Sequence, residues 1–377
     1  MKLILKKGEF MWEKMILTAG PSISTKEINY VTDAVTHGWN EHWNDYIIRF
    51  EKKFSEYIGV KHALTTSSCT GALHLALAAL DLKKGDEVIV PDLSWIATAS
   101  VVRYVNAEPV FADVRRDSWC IDPESIITRI TPRTKAIIPV HLYGQPANMP
   151  EIIQIADKYG LKVIEDAAPS IGAELLDKRT GSWGDIAGFS FQGAKLLVTG
   201  EGGMLVTNDT KLFNKMKHFA EHGRSSQGFT ISDIGFKYKM SNIQAALGLA
   251  QLERIEELIK KKITIYNWYK TRLANINGLS MNKQNDANQR SIYWMSSIIL
   301  DKDFGISRNE IMTLLKKKNI DTRPTFPKIS SFNMFKEYDN PISEHISLNG
   351  INLPSGHDRT EEEIDYVCET LKTILHI

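Results

Sequence analysis

The sequence predicts an α/β protein whose large domain contains a mostly parallel seven-stranded sheet, followed by a smaller α+β domain at the C-terminus. Between about residues 60 and 210, seven short β-rich runs alternate with helical patterns, which is typical of a parallel sheet with helices on both faces. Several of these runs are continuously apolar, as strands covered on both sides are. After about residue 240 the alternation ends and a long helical pattern begins. Ligands of such open sheets bind at the carboxyl ends of the strands.

The individual elements follow from local periodicity. The seven strands are expected at residues 63–66, 87–90, 110–114, 136–140, 162–165, 186–190 and 203–207. Helical patterns occupy residues 71–80 and 150–160 between them. Residues 242–262 are predicted to form one long amphipathic helix, because apolar residues recur there at the i, i+3, i+4, i+7 spacing of a helix face. These residues are Ile243, Ala246, Leu247 and Ala250.

The chain is expected to divide into three parts. Residues 1–15 form an N-terminal extension that we expect to be loose; it has basic residues but neither the apolar stretch nor the cleavage site of a signal peptide. Residues 16–260 form the large domain, and residues 261–377 form the small domain. Residues 16–55 are expected to pack against the small domain or a partner subunit.

The composition is that of an ordinary globular protein and excludes several classes of function. The chain has 377 residues, of which 43% are hydrophobic and 24% charged, and its net charge is +1. This balance gives no electrostatic reason to expect binding to nucleic acid or to an acidic membrane, and no apolar run approaches the roughly 20 residues of a membrane span. The ten histidines show no metal-ligand spacing. Three cysteines without a CxxC pair predict no disulfide framework and suit a reducing cytoplasm.

Two candidate site segments follow predicted strands and carry polar or aromatic side chains. In TTSSCTGALHLAL, Ser68 or Thr70 is placed to cap the following helix, and the free N–H groups at the start of that helix can bind a phosphate. In PDLSWIATAS, Trp95 comes after the next strand, where its ring could stack on a flat heterocycle. The alternatives are a helix cap without a ligand and a tryptophan of the core.

Two further segments carry ionisable groups. In KVIEDAAPSIGA, the strand runs into Asp166, whose buried carboxylate needs a cationic partner such as a pyridinium nitrogen, unless it only caps a turn. In FSFQGAKLLVTGEGG, Lys195 follows a strand that ends at Ser190 and precedes a glycine-rich turn. A lysine in a desolvated pocket can attack carbonyl groups, whereas an ordinary lysine at this place is a surface charge. Together, the four segments meet the needs of pyridoxal 5′-phosphate (PLP): a phosphate site, a stacking ring, a carboxylate and an amine.

Longer segments resemble the DegT/DnrJ/EryC1/StrS family of sugar aminotransferases, and within it the branch of perosamine synthases. The segments are GDEVIVPDLSWIAT (85–98), TKAIIPVHLYGQPANM (134–149), VIEDAA (163–168), FSFQGAKLLVTGEGGMLVTND (189–209), KYKMSNIQAALGLAQLERI (237–255) and RPTFPKISSFNMF (323–335). The resemblance runs from about Leu17 to Leu375. It implies the architecture of aspartate aminotransferase, known as fold type I.

The resemblance also implies a role for each matching residue. Lys195 matches the lysine that forms a Schiff base with PLP, and Asp166 matches the partner of the pyridine nitrogen. Trp95 matches the stacking aromatic residue. Cys69, Thr70 and Ser190 match positions that hold the cofactor phosphate. Because related sugar dehydratases carry histidine in place of this lysine, the resemblance implies amino transfer and not dehydration.

Four segments depart from the family pattern. Where the family often has SNGT, this chain has Ser67, Ser68, Cys69 and Thr70. Where the family commonly has GYNYRM, this chain has GFKYKM, so that Lys237 replaces an asparagine that reaches across the dimer to the cofactor phosphate. A lysine can still meet a phosphate as a point charge. The segments HGRSSQGFTISDI (222–234) and HGWNEHWNDY (37–46) also differ. Both commonly line the substrate pocket in the family, so the identity of the substrate stays open.

The family implies a PLP-dependent transaminase that moves an amino group from glutamate to a keto-sugar, with a nucleotide-linked 4-keto-6-deoxyhexose as the leading acceptor. It also implies a homodimer with shared active sites. The implied role of the enzyme is in the biosynthesis of surface-polysaccharide sugars. A smaller phosphorylated ketone is an alternative acceptor, and an inactive PLP-binding regulator is an alternative of another class. A nicotinamide dehydrogenase is disfavoured, because no GxGxxG follows the first strand.

Several charged and aromatic side chains are candidates for binding the substrate. Arg323, His222 and Arg224, together with Lys237, are candidates for anchoring substrate phosphates or the donor carboxylate; each could instead be a solvated surface charge. Tyr143 follows a strand closely and could line the pocket with His141, or the two could form a satisfied pair in the core.

Overall fold

The computed structural model describes residues 3–6, 9–225, 230–282 and 288–377. Its strands are β1 Leu3–Lys6, β2 Glu9–Trp12, β3 His62–Thr66, β4 Glu87–Pro91, β5 Glu108–Ala112, β6 Thr134–Ile137, β7 Lys162–Asp166, β8 Glu174–Leu175, β9 Lys178–Arg179, β10 Ile186–Ser190, β11 Gly203–Thr207, β12 Leu279–Met281, β13 Gln289–Arg290, β14 Ser297–Leu300, β15 Arg323–Pro324 and β16 Gly350–Asn352. Its helices are α1 Thr25–His37, α2 Asp45–Ile58, α3 Cys69–Ala79, α4 Ala97–Tyr104, α5 Pro123–Arg129, α6 Met149–Tyr159, α7 Thr210–Ala220, α8 Asn242–Leu252, α9 Ile255–Leu273, α10 Arg308–Lys317, α11 Pro341–Asn349 and α12 Glu361–Leu375.

The central sheet has seven strands in the order β3-β11-β10-β7-β6-β4-β5. They coincide with the seven predicted strands, apart from small differences at their ends. Strand β11 runs antiparallel to its two neighbours, β10 and β3, and the remaining pairs are parallel. The prediction of a mostly parallel seven-stranded sheet is therefore confirmed. The carboxyl ends of β3, β4, β7 and β10 meet at one edge, where the candidate site residues lie.

The continuously apolar strands pack against a core on each face of this sheet. In β4, Ile89 belongs to one core, whereas Val88 and Val90 belong to the other. All five residues of β4 are buried, because alternate side chains of a strand point to opposite faces and helices cover both. Helix α3 packs against β10 and β11, which brings its first turn to the edge where the site lies.

The single long helix predicted over residues 242–262 is wrong: α8 and α9 take its place. The backbone leaves helical geometry at Arg254, where φ is −127° and ψ is 25°. The guanidinium of Arg254 lies 2.6 Å from the buried carboxylate of Glu27 in α1 and also donates to the carbonyl of Ser22. This tertiary contact stabilises the break, and no local pattern encodes it. Helices α1 and α2 both pack on α8. Of the predicted apolar face, Ala246 and Ala250 are buried, whereas Ile243 and Leu247 are half-buried.

The C-terminal part contains an antiparallel sheet in the order β12-β14-β16-β15, and α9, α10 and α12 pack together beside it. Helix α9 continues through residue 260, so the boundary proposed there falls within a helix, and the division into domains stays a prediction. Ile16 is fully buried and pairs with Ile320 of the C-terminal part.

The N-terminal extension forms a hairpin in which β1 pairs with β2. The ring of Trp12, at the end of β2, lies 5.7 Å from that of Tyr366. That residues 1–15 are loose stays a prediction.

Among the helices that the structure describes, none is both long enough and apolar enough to cross a membrane. Over the same residues, no cluster of three or more His, Cys, Asp or Glu side chains could hold a metal ion.

Candidate active site

Lys195 lies in a tight loop that follows β10. Its backbone N–H donates to the carbonyl of Gln192 at 2.8 Å, which holds the loop in place. The amine lies inside a cavity, and burial lowers the pKa of Lys195 to about 8, although Asp166 and Cys69 oppose this shift. A substantial fraction of the amine is therefore neutral near physiological pH, as an attacking or proton-transferring amine requires.

Asp166 is the last residue of β7 and is almost fully buried. Its Oδ2 accepts a hydrogen bond from Oγ1 of Thr98 at 2.8 Å, and its Oδ1 accepts one from the N–H of Ala168 at 3.2 Å. Burial raises the pKa of Asp166, and the two hydrogen bonds and the charge of Lys195 oppose that rise. A cation placed against this carboxylate favours its ionised form, so Asp166 suits a protonated ring nitrogen.

The first turn of α3 is the predicted phosphate-binding turn, and it carries groups that can bind a phosphate. Ser68 caps the helix by accepting a hydrogen bond from the N–H of Gly71 at 3.0 Å. In the described part of the chain, the N–H groups of Cys69 and Thr70 have no acceptor, and both residues line the cavity together with Ser190. Free N–H groups at a helix start, with hydroxyl groups beside them, form a site for a phosphate.

Gly203 allows this turn to lie close to the sheet. A Cβ at Gly203, the first residue of β11, would lie 2.5 Å from the carbonyl carbon of Ser68 and 2.6 Å from the backbone nitrogen of Cys69. Real Cβ atoms do not approach backbone atoms so closely, so any side chain here would displace the phosphate-binding turn.

These residues surround one cavity of about 410 Å³, a size within the roughly 300–1,000 Å³ range of small-molecule sites. The predicted cofactor residues that line it are Ser68, Cys69, Thr70, Trp95, Asp166, Ser190 and Lys195. Trp95 is 60% exposed at its mouth, with its ring 6.0 Å from that of Phe326. The structure thus brings these residues together, and their individual roles stay predictions.

A second cavity of about 470 Å³ adjoins the first. The two share a wall formed by Trp95, Ala194, Trp294 and Phe326. Arg323 lies at the rim of the second cavity, with its side chain 67% exposed and its Nη1 3.1 Å from the carboxylate of Asp321. Tyr143 also lines this cavity, and its hydroxyl accepts a hydrogen bond from the N–H of Phe326 at 2.9 Å.

Lys237, His222 and Arg224 line neither of these cavities in their own chain, as far as the described residues show. All three are exposed. Lys237 nevertheless lies near the phosphate-binding turn, because the carbonyl of the next residue, Tyr238, accepts a hydrogen bond from the N–H of Ser67 at 2.6 Å. Residues 226–229, part of the loop expected to line the substrate pocket, lie outside the described residues.

His141 belongs to the core and not to the cavity. Its Nδ1 accepts a hydrogen bond from the N–H of Ala147 at 3.1 Å, so its Nε2 carries the proton that faces Glu165 at 2.9 Å. Both side chains of this pair are fully buried. Of the two alternatives for His141, the satisfied core residue is therefore the one observed, while Tyr143 reaches the second cavity.

Among the residues that line the first cavity, Thr98, Trp294 and Phe326 were not predicted from the sequence. Thr98 lies in the segment that contains Trp95, and its position just after a strand end was an available signal. Trp294 and Phe326 come from C-terminal segments that only the tertiary fold brings to the cavity. No local pattern distinguishes them from core aromatic residues.

Comparisons with known proteins agree with this geometry. The model of the DegT/DnrJ/EryC1/StrS aminotransferase family matches residues 21–372. The chain is 40% identical to GDP-perosamine synthase of Escherichia coli O157:H7 over 361 residues, which cover 95% of this chain and 98% of that protein. It is 38% identical to GDP-perosamine synthase of Caulobacter vibrioides over 364 residues, covering 96% and 98%. The solved structure of DesI in the presence of its TDP-sugar product matches with a TM-score of 0.89 and 27% identity, covering 97% of this chain and 93% of that one.

The residues present fit PLP: a buried carboxylate, an amine and a helix N-terminus face one cavity. The fold and this site define a PLP-dependent transaminase of fold type I. The chain belongs to the DegT/DnrJ/EryC1/StrS aminotransferase family. The predicted fold class, enzyme class and cofactor are thereby confirmed.

Proposed function

We propose that this enzyme transfers the amino group of glutamate to a nucleotide-linked 4-keto-6-deoxyhexose, in the biosynthesis of a surface-polysaccharide sugar. One observation supports this above the others: Lys195 and Asp166 face a single cavity with a helix N-terminus, in a chain 36–40% identical to GDP-perosamine synthases. The name of these relatives indicates a nucleotide-linked amino sugar as their product.

The chemistry assigned to each side chain follows from its surroundings. When bound, PLP supplies an aldehyde for an amine and a ring that accepts electrons from the carbon losing its proton. Lys195, with its pKa lowered to about 8, both accepts and donates a proton near neutral pH, as a general base and acid must. Asp166 holds a proton on the ring nitrogen, and Thr98 orients the Asp166 carboxylate through its hydrogen bond. The donor and the acceptor use the same Lys195 in turn, so we expect ping-pong kinetics.

The acceptor sugar is assigned to the second cavity. This cavity shares its aromatic wall with the first, and the ring of Trp294 in that wall contacts the amine of Lys195. Arg323 at the rim is exposed to solvent, and a guanidinium recognises phosphate oxygens well. We infer that the diphosphate of the acceptor lies near Arg323 and that the sugar ring lies against the aromatic wall.

We infer a homodimer with shared active sites. On the described surface, α1, α2 and the segment between them expose several large apolar side chains. They are Ile28, Val35, Trp39, Trp43 and Ile48. A surface of this kind marks a contact with a partner. Lys237, exposed near the phosphate-binding turn, is our candidate for a contact with the cofactor phosphate of the second subunit.

We also infer a cytoplasmic location. The three cysteines, Cys69, Cys120 and Cys368, are all buried free thiols, which suits a reducing compartment.

The proposal is tested by half-reactions with a panel of acceptors. Purified enzyme with PLP is mixed with glutamate, and the loss of the PLP absorbance is followed. We expect that a nucleotide-linked 4-keto-6-deoxyhexose restores the absorbance and that small phosphorylated ketones do not. Restoration by the small ketones alone would favour the alternative acceptor class. A preparation that stays colourless with added PLP would favour an inactive protein, and a Lys195→Ala variant with unchanged turnover would refute the role of Lys195.

A further inference from the structure

The amine of Lys195 lies over the ring of Trp294, with Nζ 3.7 Å from the ring centroid. The same indole holds the neighbouring residue, because Nε1 of Trp294 donates to the carbonyl of Ala194 at 2.7 Å. Trp294 is itself fixed: its backbone N–H donates to the carbonyl of Tyr143 at 2.9 Å, and its ring stacks on that of Tyr143 at 6.0 Å. One buried side chain thus contacts both the lysine amine and the backbone just before it.

We propose that Trp294 is a positioning residue that seats the free amine of Lys195 on the wall between the two cavities. The amine of a lysine is carried on a flexible four-carbon chain, so a free amine in an open cavity would adopt many positions. The face of an indole attracts a cation through its electron-rich ring, more strongly than the other aromatic rings do. Trp294 lines both cavities, whereas Lys195 lines the first, so an amine held against the ring lies in the first cavity at the wall that the two cavities share. Its importance for turnover rests on the proposed function, whereas the contact itself does not.

The ring has an effect on the protonation of Lys195 that can be separated from the effects of its other neighbours. Burial favours the neutral amine, whereas Asp166 and Cys69 favour the charged form, and Glu201 is a further carboxylate on the cavity lining. The ring face of Trp294 also favours the ammonium form. Removing the ring while keeping an apolar side chain is therefore expected to lower the pKa of Lys195 further.

The test measures the reactivity of Lys195 in the apoprotein. Reductive methylation with formaldehyde, read by mass spectrometry of the Lys195 peptide from about pH 6 to about pH 10, gives the pKa directly. Wild type is compared with Trp294→Leu and Trp294→Phe, which both lose the hydrogen bond to Ala194 but differ in keeping a ring. The control is Trp183→Leu, because the ring of Trp183 lies 4.6 Å from the amine of Lys178, outside the site.

We expect Lys195 in Trp294→Leu to be labelled about three- to six-fold faster than wild type near pH 7, which corresponds to a pKa lower by about half a unit to one unit. The labelling rate of Lys195 in Trp294→Phe is expected to lie between those of wild type and Trp294→Leu, and the rate in Trp183→Leu to match wild type. An unchanged or raised pKa in Trp294→Leu would overturn the proposal. If circular dichroism shows that Trp294→Leu is unfolded, Trp294→Phe decides alone: a lowered pKa supports the proposal, and an unchanged one overturns it.

The labelling requires no cofactor and no substrate, so its outcome is independent of the proposed function. A lowered pKa in an enzyme that fails to transaminate would remove the proposed function and leave the contact standing. An unchanged pKa in an active transaminase would remove the proposed role of Trp294 and leave the proposed function standing.

Discussion

The hydroxyl of Thr98 donates a hydrogen bond to Asp166, with Oγ1 2.8 Å from Oδ2, and so joins the first turn of α4 to the end of β7. Thr98 is fully buried, and its own Oγ1 lies 3.2 Å from Oγ of Ser94. This chain of hydroxyl groups fixes the carboxylate that faces the cavity. The orientation of the Asp166 carboxylate thus depends on Thr98.

Thr98→Val is expected to lower kcat/KM by about 10- to 100-fold, because a hydrogen bond to a charged group contributes roughly 1.5–3 kcal/mol. Valine keeps the shape of threonine but cannot donate, so the Asp166 carboxylate loses its orientation. Steady-state kinetics with glutamate measure the effect. The matched control is Ser94→Ala, which leaves the Thr98 donor in place and is expected to cost much less. Equal losses in the two variants would contradict a specific role for Thr98.

The lowered pKa of Lys195 predicts how fast the apoprotein captures PLP at different pH values. Only the neutral amine attacks an aldehyde, and burial lowers the pKa from 10.5 to about 8. The neutral fraction, and with it the rate, is therefore expected to rise about tenfold between about pH 7 and about pH 9 and then to level off. An unshifted lysine would instead give a rise of about 100-fold without levelling.

Stopped-flow absorbance of the apoprotein mixed with PLP measures this rate. The reference is Nα-acetyl-lysine mixed with PLP under the same conditions, since dividing by its rate removes the titration of the cofactor itself. A ratio that does not fall toward high pH would show that the pKa of Lys195 is unshifted.

Gly203→Ala is expected to weaken PLP binding and to destabilise the protein by about 1–3 kcal/mol, as overpacking of a filled site does. The reason is the 2.5 Å distance between the added Cβ and the carbonyl carbon of Ser68, which forces the phosphate-binding turn away from the sheet. PLP titration and urea unfolding measure the two effects. In the control, Gly20→Ala, an added Cβ meets nothing within 4 Å. A Gly203→Ala protein with the PLP affinity of wild type would show that the turn moves without consequence.

The part of the site that could be predicted from sequence is the part built at the ends of strands. Asp166 is the last residue of β7, and Lys195 lies in the loop that follows β10; both strands are recognisable as short apolar runs. Parallel strands bring such residues to one edge, so their proximity followed from the order of elements alone.

What could not be predicted depends on contacts between distant segments. Trp294 reaches Lys195 only because the C-terminal part folds over the edge of the sheet. The break before α9 has a similar origin, since Arg254 binds Glu27 of α1 across the fold. The sequence around Arg254 continues the helical periodicity, so it predicts no break. The ion pair that stabilises the break involves a residue that is distant in the sequence.

Lys262 predicts a dependence of stability on pH that is separate from catalysis. It is 1% exposed in α9, and its amine donates to the carbonyl of Ser355. Burial lowers its pKa from 10.5 to about 7, against the charge of Asp358. Between these two values the unfolded chain binds more protons than the folded protein, so the free energy of unfolding rises with pH across this window. The cost of burying this lysine is fully present below about pH 7 and is lost as the pH approaches 10.5.

Lys262→Met is therefore expected to stabilise the protein at pH 7 by on the order of 2–4 kcal/mol, because methionine fills the space without a charge to desolvate. By about pH 10 most of this gain is expected to disappear. Urea unfolding at both pH values measures it. The neighbouring Lys261→Met is the control, since the Lys261 amine donates to the carbonyl of Arg359 from a partly buried position. A Lys262→Met protein that is no more stable than wild type at pH 7, or whose gain is the same at both pH values, would show that the amine finds more solvation in the fold than its burial indicates.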